Sequence, residues 1–230
     1  MSKFCLIGGL GPESTIDYYK LIIKHYQKLE GKEEIPEFFI NSLNVNKLLN
    51  MVDRKDYDKL TDYLLSAIKE GYNAGANFGA IGANTPHIVF DRLKEQSPIP
   101  LISIVEETGK KAKDLKMKSV GLFGTKFTMQ EDFFKKEILK YGVTTVVPNN
   151  KEQEYIHNKI MTELELGIVK EDTKKELLKI IERMKEEDKI DGLILGCTEL
   201  PLILKEEDES NIKFLNTTEI HVESIIRKLV

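Results

Sequence analysis

Cysteine is scarce in this chain: only Cys5 and Cys197 occur in 230 residues. Neither has a CxxC partner or a neighbouring His, so the usual zinc frameworks are excluded. Basic excess is also missing, with 34 Lys and Arg against 38 Asp and Glu and a formal net charge of −4. A nucleic-acid partner is therefore not expected. No stretch approaches the roughly 18 apolar residues that span a bilayer. Met1 to Ile7 runs straight into a strand-like segment, with no h-region or small-residue cleavage site before Gly8-Gly9. The expectation is a cytoplasmic protein with no membrane partner, in which two thiols stay free. Gly9-Leu10-Gly11 lacks the third glycine of a dinucleotide loop, since the position that would complete it is Ser14. A nucleotide cofactor is set aside on that ground.

What is present is ordinary soluble composition, 41% hydrophobic and 31% charged, with no low-complexity segment. Short apolar runs predict strands at Phe4–Ile7, Phe38–Ile40, Phe78–Ile81, Leu101–Ile104, Val120–Phe123, Thr144–Val147, Leu193–Leu195 and Phe214–Leu215. Between them, segments such as Tyr57–Tyr72, Glu106–Leu115, Glu131–Tyr141 and Lys174–Glu187 carry apolar residues at three- and four-residue spacing, as surface helices do. Alternation of this kind predicts an α/β fold of parallel sheets flanked by helices. Two prolines in Ser97-Pro98-Ile99-Pro100 mark one boundary, and the acidic stretch from Glu206 to Asn211, read as a solvated loop, marks another. The domains are then expected at 1–98 plus 211–230 and at 99–210.

Parallel sheets place ligand sites beyond the carboxyl ends of their strands. Four such ends are rich in small and hydroxylated residues: Gly8-Gly9-Leu10-Gly11-Pro12, Gly82-Ala83-Asn84-Thr85-Pro86-His87, Gly124-Thr125-Lys126-Phe127-Thr128 and Gly196-Cys197-Thr198-Glu199. The second and fourth echo each other, each being an apolar strand, then Gly, a small residue and a hydroxyl. If the halves of the chain are related by a pseudo-twofold, Ala83 and Cys197 are counterparts facing one cleft.

In order and spacing, Gly8 to Thr15, Asn84-Thr85, Gly124 to Met129 and Gly196 to Glu199 resemble the aspartate/glutamate racemase family, over nearly the whole chain from Phe4 to about His221. The resemblance implies two pseudosymmetric α/β domains, a homodimer, an active site in the cleft between domains, and no cofactor or metal. It implies a dicarboxylic amino acid as substrate and two opposed cysteines that remove and return its α-proton. Cys197 matches one of them, while Ala83 stands where the other thiol belongs. Asn216 stands where the family more often shows Asp. Asn84, Thr85, Thr125, Thr128 and Thr198 are the expected substrate-binding donors, beside the amides of the glycine turns.

Proton removal next to a carboxylate needs a base and dense hydrogen-bond donors where charge accumulates. A thiolate serves if its pKa is lowered, and the turn beginning near Glu199 suggests a helix dipole that favours the charged form of Cys197. Cys5, between Phe4 and Leu6, reads as inert core. His87 can line the site or make a structural hydrogen bond, and Glu199 can hold Thr198 or transfer protons itself. Arg54, Lys126 and Lys170 are candidate partners for a distal carboxylate, none assigned. Three functions remain open: an amino-acid racemase, a one-thiol decarboxylase or isomerase of a dicarboxylic acid, and a dicarboxylate-binding homologue without activity.

Overall fold

A computed structural model describes residues 2–205, 207–208 and 212–230. The chain divides into two compact units, Met1–Ile104 with Thr218–Val230, and Val105–Thr217.

The first unit runs β1 (Phe4–Gly8), α1 (Pro12–Glu30), β2 (Phe38–Ser42), α2 (Val45–Asp53), α3 (Tyr57–Asn73), β3 (Phe78–Ile81), a one-turn helix (Thr85–Val89), α4 (Phe90–Gln96) and β4 (Leu101–Ile102). Its four strands are all parallel, in the order β2-β1-β3-β4. β1 and β3 are buried along their whole length, as central strands covered on both faces must be. Phe4 stacks against Phe38 at 4.8 Å and against Phe78 at 5.4 Å, so one aromatic ladder ties three adjacent strands. Such pairs contribute about 0.5–1.5 kcal/mol each beyond burial. Helix α11 (Thr217–Leu229) closes this core with Val222, Ile225 and Ile226 against Phe4, Leu6, Phe78 and Ala80. That packing draws the C-terminal segment back to the first sheet.

The second unit begins at the second residue of α5 (Ile104–Asp114) and continues through β5 (Ser119–Phe123), α6 (Lys126–Gln130), α7 (Phe133–Leu139), β6 (Thr144–Val146), α8 (Asn150–Thr162), α9 (Glu171–Glu187), β7 (Gly192–Leu195), α10 (Leu200–Ile203) and β8 (Lys213–Asn216). Its sheet is again parallel, ordered β6-β5-β7-β8. Helix α9 buries Leu177, Ile180, Ile181 and Met184 on one stripe, packed into a core with Phe123, Leu193 and Leu195.

The two sheets repeat one design down to single hydrogen bonds. Gly82 donates its amide to the Ile7 carbonyl at 2.9 Å, and Gly196 donates to the Phe123 carbonyl at 2.7 Å. At the opposite strand ends, the Asn77 amide bonds Lys3 and the Asp191 amide bonds Ser119, both at 2.7 Å. The side chains of Asn77 and Asp191 in turn accept from the amides of Lys3 and Ser119. Counting outward from these bonds makes Ala83 the register equivalent of Cys197. The echo seen in the sequence is thus a repeat of topology and register.

All eight predicted strands are present. The segment Leu101–Ile104 is shorter than expected, because Ile104 already opens α5. In the acidic stretch, residues 206 and 209–211 lie outside the described residues. Asp208 is not merely solvated: it pairs with Lys174 at 2.9 Å and accepts from the Lys205 amide.

Candidate active site

Each unit carries two loaded turns at the carboxyl ends of its central strands. In the first unit, Gly9 has φ +70, and a Cβ there would lie 2.3 Å from the Leu43 carbonyl oxygen. Only glycine fits. Thr15 holds this turn by accepting from the Gly9 amide at 2.8 Å and donating to the Gly11 carbonyl at 3.1 Å. Ser14 donates to the Gly82 carbonyl at 3.3 Å, so the turn after β1 is bonded to the turn after β3. On that second turn Ala83 and Thr85 are half-buried and Asn84 is buried. His87 is buried behind it, with Nδ1 2.9 Å from the Ala83 carbonyl oxygen.

In the second unit, Thr125 caps α6 by accepting from the Thr128 amide, and its hydroxyl lies 3.1 Å from that of Thr128. Thr128 is fully buried and packs beneath Gly124, so it builds the turn from inside. The Gly196 position leaves no room for a side chain, since a Cβ would meet the Phe123 oxygen at 2.8 Å. Cys197 follows, buried, with its Sγ donating to Glu199 Oε2 at 2.8 Å. Thr198 donates its hydroxyl to the same carboxylate oxygen at 2.8 Å.

This arrangement corrects the expected electrostatics of the thiol. Helix α10 spans only four residues, too short to supply a strong dipole. Burial, then the charge of Glu199 and its acceptance of the thiol proton, push the Cys197 thiol well above its ordinary pKa, with Glu165 adding in the same sense. Only the Glu199 backbone amide pulls the other way. The resting group is therefore a thiol hydrogen-bonded to a carboxylate. Burial and Glu199 likewise raise the pKa of Glu165.

Two of the cationic candidates have carboxylate partners of their own. Lys126 pairs with Glu154 at 2.6 Å. Lys170 pairs with the buried Glu163, which also takes Lys159 and the Thr173 hydroxyl. Arg54 is an exposed residue at the end of α2. Cys5 is buried in β1 and burial raises its pKa, as an inert core thiol requires. Asn216 is the last residue of β8 and the register partner of Leu195. No group of His, Cys, Asp and Glu suited to a metal occurs among the described residues, and no helix there is long and apolar enough to cross a membrane.

A thiol and a carboxylate on one glycine turn, on a sheet whose register is repeated in the other unit, is a pattern with relatives. The profile of the Asp/Glu/hydantoin racemases matches residues 7–225. This chain belongs to that family. An aspartate racemase homologue from Pyrococcus horikoshii is 35% identical and superimposes with a TM-score of 0.90, covering 100% of this chain and 99% of its own. A Yersinia pestis structure solved as a candidate Asp/Glu racemase gives a TM-score of 0.93 at 27% identity, with 100% and 99% covered. Among curated relatives, the broad specificity amino-acid racemase RacX of Bacillus subtilis is 27% identical over 159 residues, 67% of this chain and 68% of that protein.

Of the residues expected at the site, Ala83, Asn84, Thr85, Thr125, Cys197 and Thr198 stand on these turns or at the starts of the helices that follow, while Thr128 lies inside α6, buried beneath Gly124. Of the alternatives open in the sequence, His87 makes structural hydrogen bonds and Glu199 holds the Thr198 hydroxyl. The bracing of the first turn and the thiol bond to Glu199 escaped sequence reasoning. Ser14 and Thr15 hold the first turn, and Glu199 accepts the thiol. The only available signal was spacing: hydroxyls three and four residues past Gly11, and a carboxylate two residues past Cys197.

Proposed function

We propose that this protein is an amino-acid racemase working without a cofactor, with Cys197 as its proton-transfer residue and Glu199 as the group that takes the thiol proton. The observation that carries this reading is the 2.8 Å bond from Cys197 Sγ to Glu199 Oε2 on a racemase scaffold. Because the resting thiol is protonated, it becomes a base only when its proton moves to Glu199. The thiolate then takes the α-hydrogen of the substrate, leaving a carbanion beside the carboxylate. Donors at Thr198 and Thr125, and the amides of the glycine turns, are suited to the charge that builds up. Asn84 and Thr85 belong to the same reading as substrate-binding residues. Ala83, the register equivalent of Cys197, carries no proton, so return of hydrogen to the other face falls to water, and the proton held by Glu199 neutralises the hydroxide this leaves, restoring the resting thiol and carboxylate. Inversion is expected to be slow relative to proton removal. Aspartate or glutamate is the proposed substrate, on the strength of the family.

The vacant thiol position also favours a second reading, a decarboxylase or isomerase of a dicarboxylic acid that needs a proton on one face only. Incubation in heavy water with L-aspartate or L-glutamate separates the two. Racemase chemistry predicts exchange of the α-hydrogen for deuterium with slow accumulation of the D-isomer, all abolished by Cys197→Ala. Folded wild-type protein that exchanges no amino-acid α-hydrogen, yet decarboxylates or isomerises a dicarboxylic acid, overturns the first reading in favour of the second.

A further inference from the structure

Two buried histidines outside the proton-transfer chemistry converge on one short segment of the first unit. His87 lies with Nδ1 2.9 Å from the Ala83 carbonyl oxygen, while its Nε2 receives the Ile104 amide at 3.3 Å. A carbonyl can only accept and an amide can only donate, so the ring is neutral with its hydrogen on Nδ1. Its face stacks on Phe90 at 4.9 Å and an interplanar angle of 11°. His221 approaches the same segment from α11, with Nε2 3.0 Å from the Ile102 carbonyl oxygen and Nδ1 2.7 Å from the Tyr18 hydroxyl. Its Nε2 likewise carries a hydrogen for the Ile102 carbonyl, while the bond between Nδ1 and Tyr18 can run either way, because a hydroxyl both donates and accepts. Both rings are buried.

The segment they hold, Ile102 to Ile104, is where β4 ends and α5 begins. His87 reaches from that point back to the turn after β3, whose Ala83 carbonyl has no fixed place in the strand ladder beyond Ile81. An imidazole is rigid, so two bonds from opposite sides of one ring set the spacing between the turn and the start of α5. Within the one-turn helix, the His87 amide also donates to the Asn84 carbonyl at 3.0 Å. Backbone and side chain of one residue thus grip both peptide units that precede Thr85.

We propose that His87 is a positioning residue: its ring, bridging the Ala83 carbonyl and the Ile104 amide, fixes the Ala83–Thr85 turn in the conformation that receives substrate. The inference rests on the racemase reading for the word substrate, and on geometry alone for the turn. His221, itself bonded to Tyr18, holds the same segment at the Ile102 carbonyl.

The test uses His87→Phe, which keeps a ring against Phe90 and deletes both hydrogen bonds, and His87→Gln, whose amide can still donate toward Ala83. α-Hydrogen exchange gives kcat and KM, and proton–nitrogen spectra follow the Asn84 and Thr85 amides. His87→Phe is expected to lower kcat at least tenfold, shift or broaden both amides, and leave the Thr198 amide in place. His87→Gln is expected to recover most of both signals. A His87→Phe protein that melts earlier but keeps wild-type kcat and unshifted Asn84 and Thr85 amides makes the histidine merely structural and overturns the proposal. Absence of exchange in wild type would count against the racemase reading, and the two amides would still decide the role of His87.

Discussion

Replacing Glu199 by Gln sets two consequences of one contact against each other. The carboxylate accepts the Cys197 thiol at 2.8 Å, and two unit charges at that separation interact by roughly 6 kcal/mol at an effective dielectric near 20. Glu199 is half-buried, so solvent screening reduces this to on the order of 1–3 kcal/mol. Glu199→Gln should therefore lower the pKa of Cys197, read as faster alkylation by iodoacetamide with its midpoint moved to lower pH. If the supply of thiolate limited catalysis, the variant would be faster. If the carboxylate receives the proton, loss of that acceptor costs about 100- to 10,000-fold in α-hydrogen exchange. The second outcome is expected, a more reactive thiol in a slower enzyme. A folded Glu199→Gln protein whose exchange rate equals or exceeds wild type would refute the relay.

Further consequences can be checked singly. Ala83→Cys should raise D-isomer formation relative to exchange, because it restores a proton carrier at the register equivalent of Cys197; an unchanged ratio in a folded variant would show that position 83 does not reach substrate. Gly9→Ala should destabilise the fold by about 1–3 kcal/mol in denaturant melts, since φ +70 and the Leu43 oxygen oppose a Cβ. Glu163 is held down to about 2, from an ordinary 4.5, first by Lys159 and next by the Thr173 hydroxyl. Its contribution, at most ~3 kcal/mol, is complete above pH about 4.5 and is lost as pH falls toward 2; Glu163→Gln should flatten that part of the stability profile. Burial, then the nearness of His221, hold His87 down to about 3 from 6.5, while the Ala83 and Asn84 carbonyls oppose the shift. Below pH 6.5 the unfolded chain takes a proton that the native ring refuses, so stability falls as pH drops toward 3, by on the order of 5 kcal/mol. His87→Phe should lack this dependence.

Much of the architecture was legible because it depends on local pattern. Buried parallel strands must be short and apolar, amphipathic helices must show their three- and four-residue spacing, and glycine is required where a strand turns abruptly under its neighbour. Phe78–Ile81 before Gly82, and Leu193–Leu195 before Gly196, announce both central strands and the turns that follow them. The echo of the two turn strings paired Ala83 with Cys197, the family resemblance singled out the thiol, and the repeated amide bonds of Gly82 and Gly196 show why the two strings look alike.

What the chain's order alone determined was therefore which residues stand at the strand ends. Tertiary structure decided their chemical state, because a pKa depends on what surrounds a group in space. The dipole expected to ionise Cys197 dwindles to a four-residue helix, while burial and the Glu199 carboxylate keep its proton on. Lys126 and Lys170 look free along the sequence, and the fold commits them to Glu154 and Glu163. His87 and His221 stand 134 positions apart in the numbering, and only packing of α11 on the first sheet brings both rings to Ile102–Ile104.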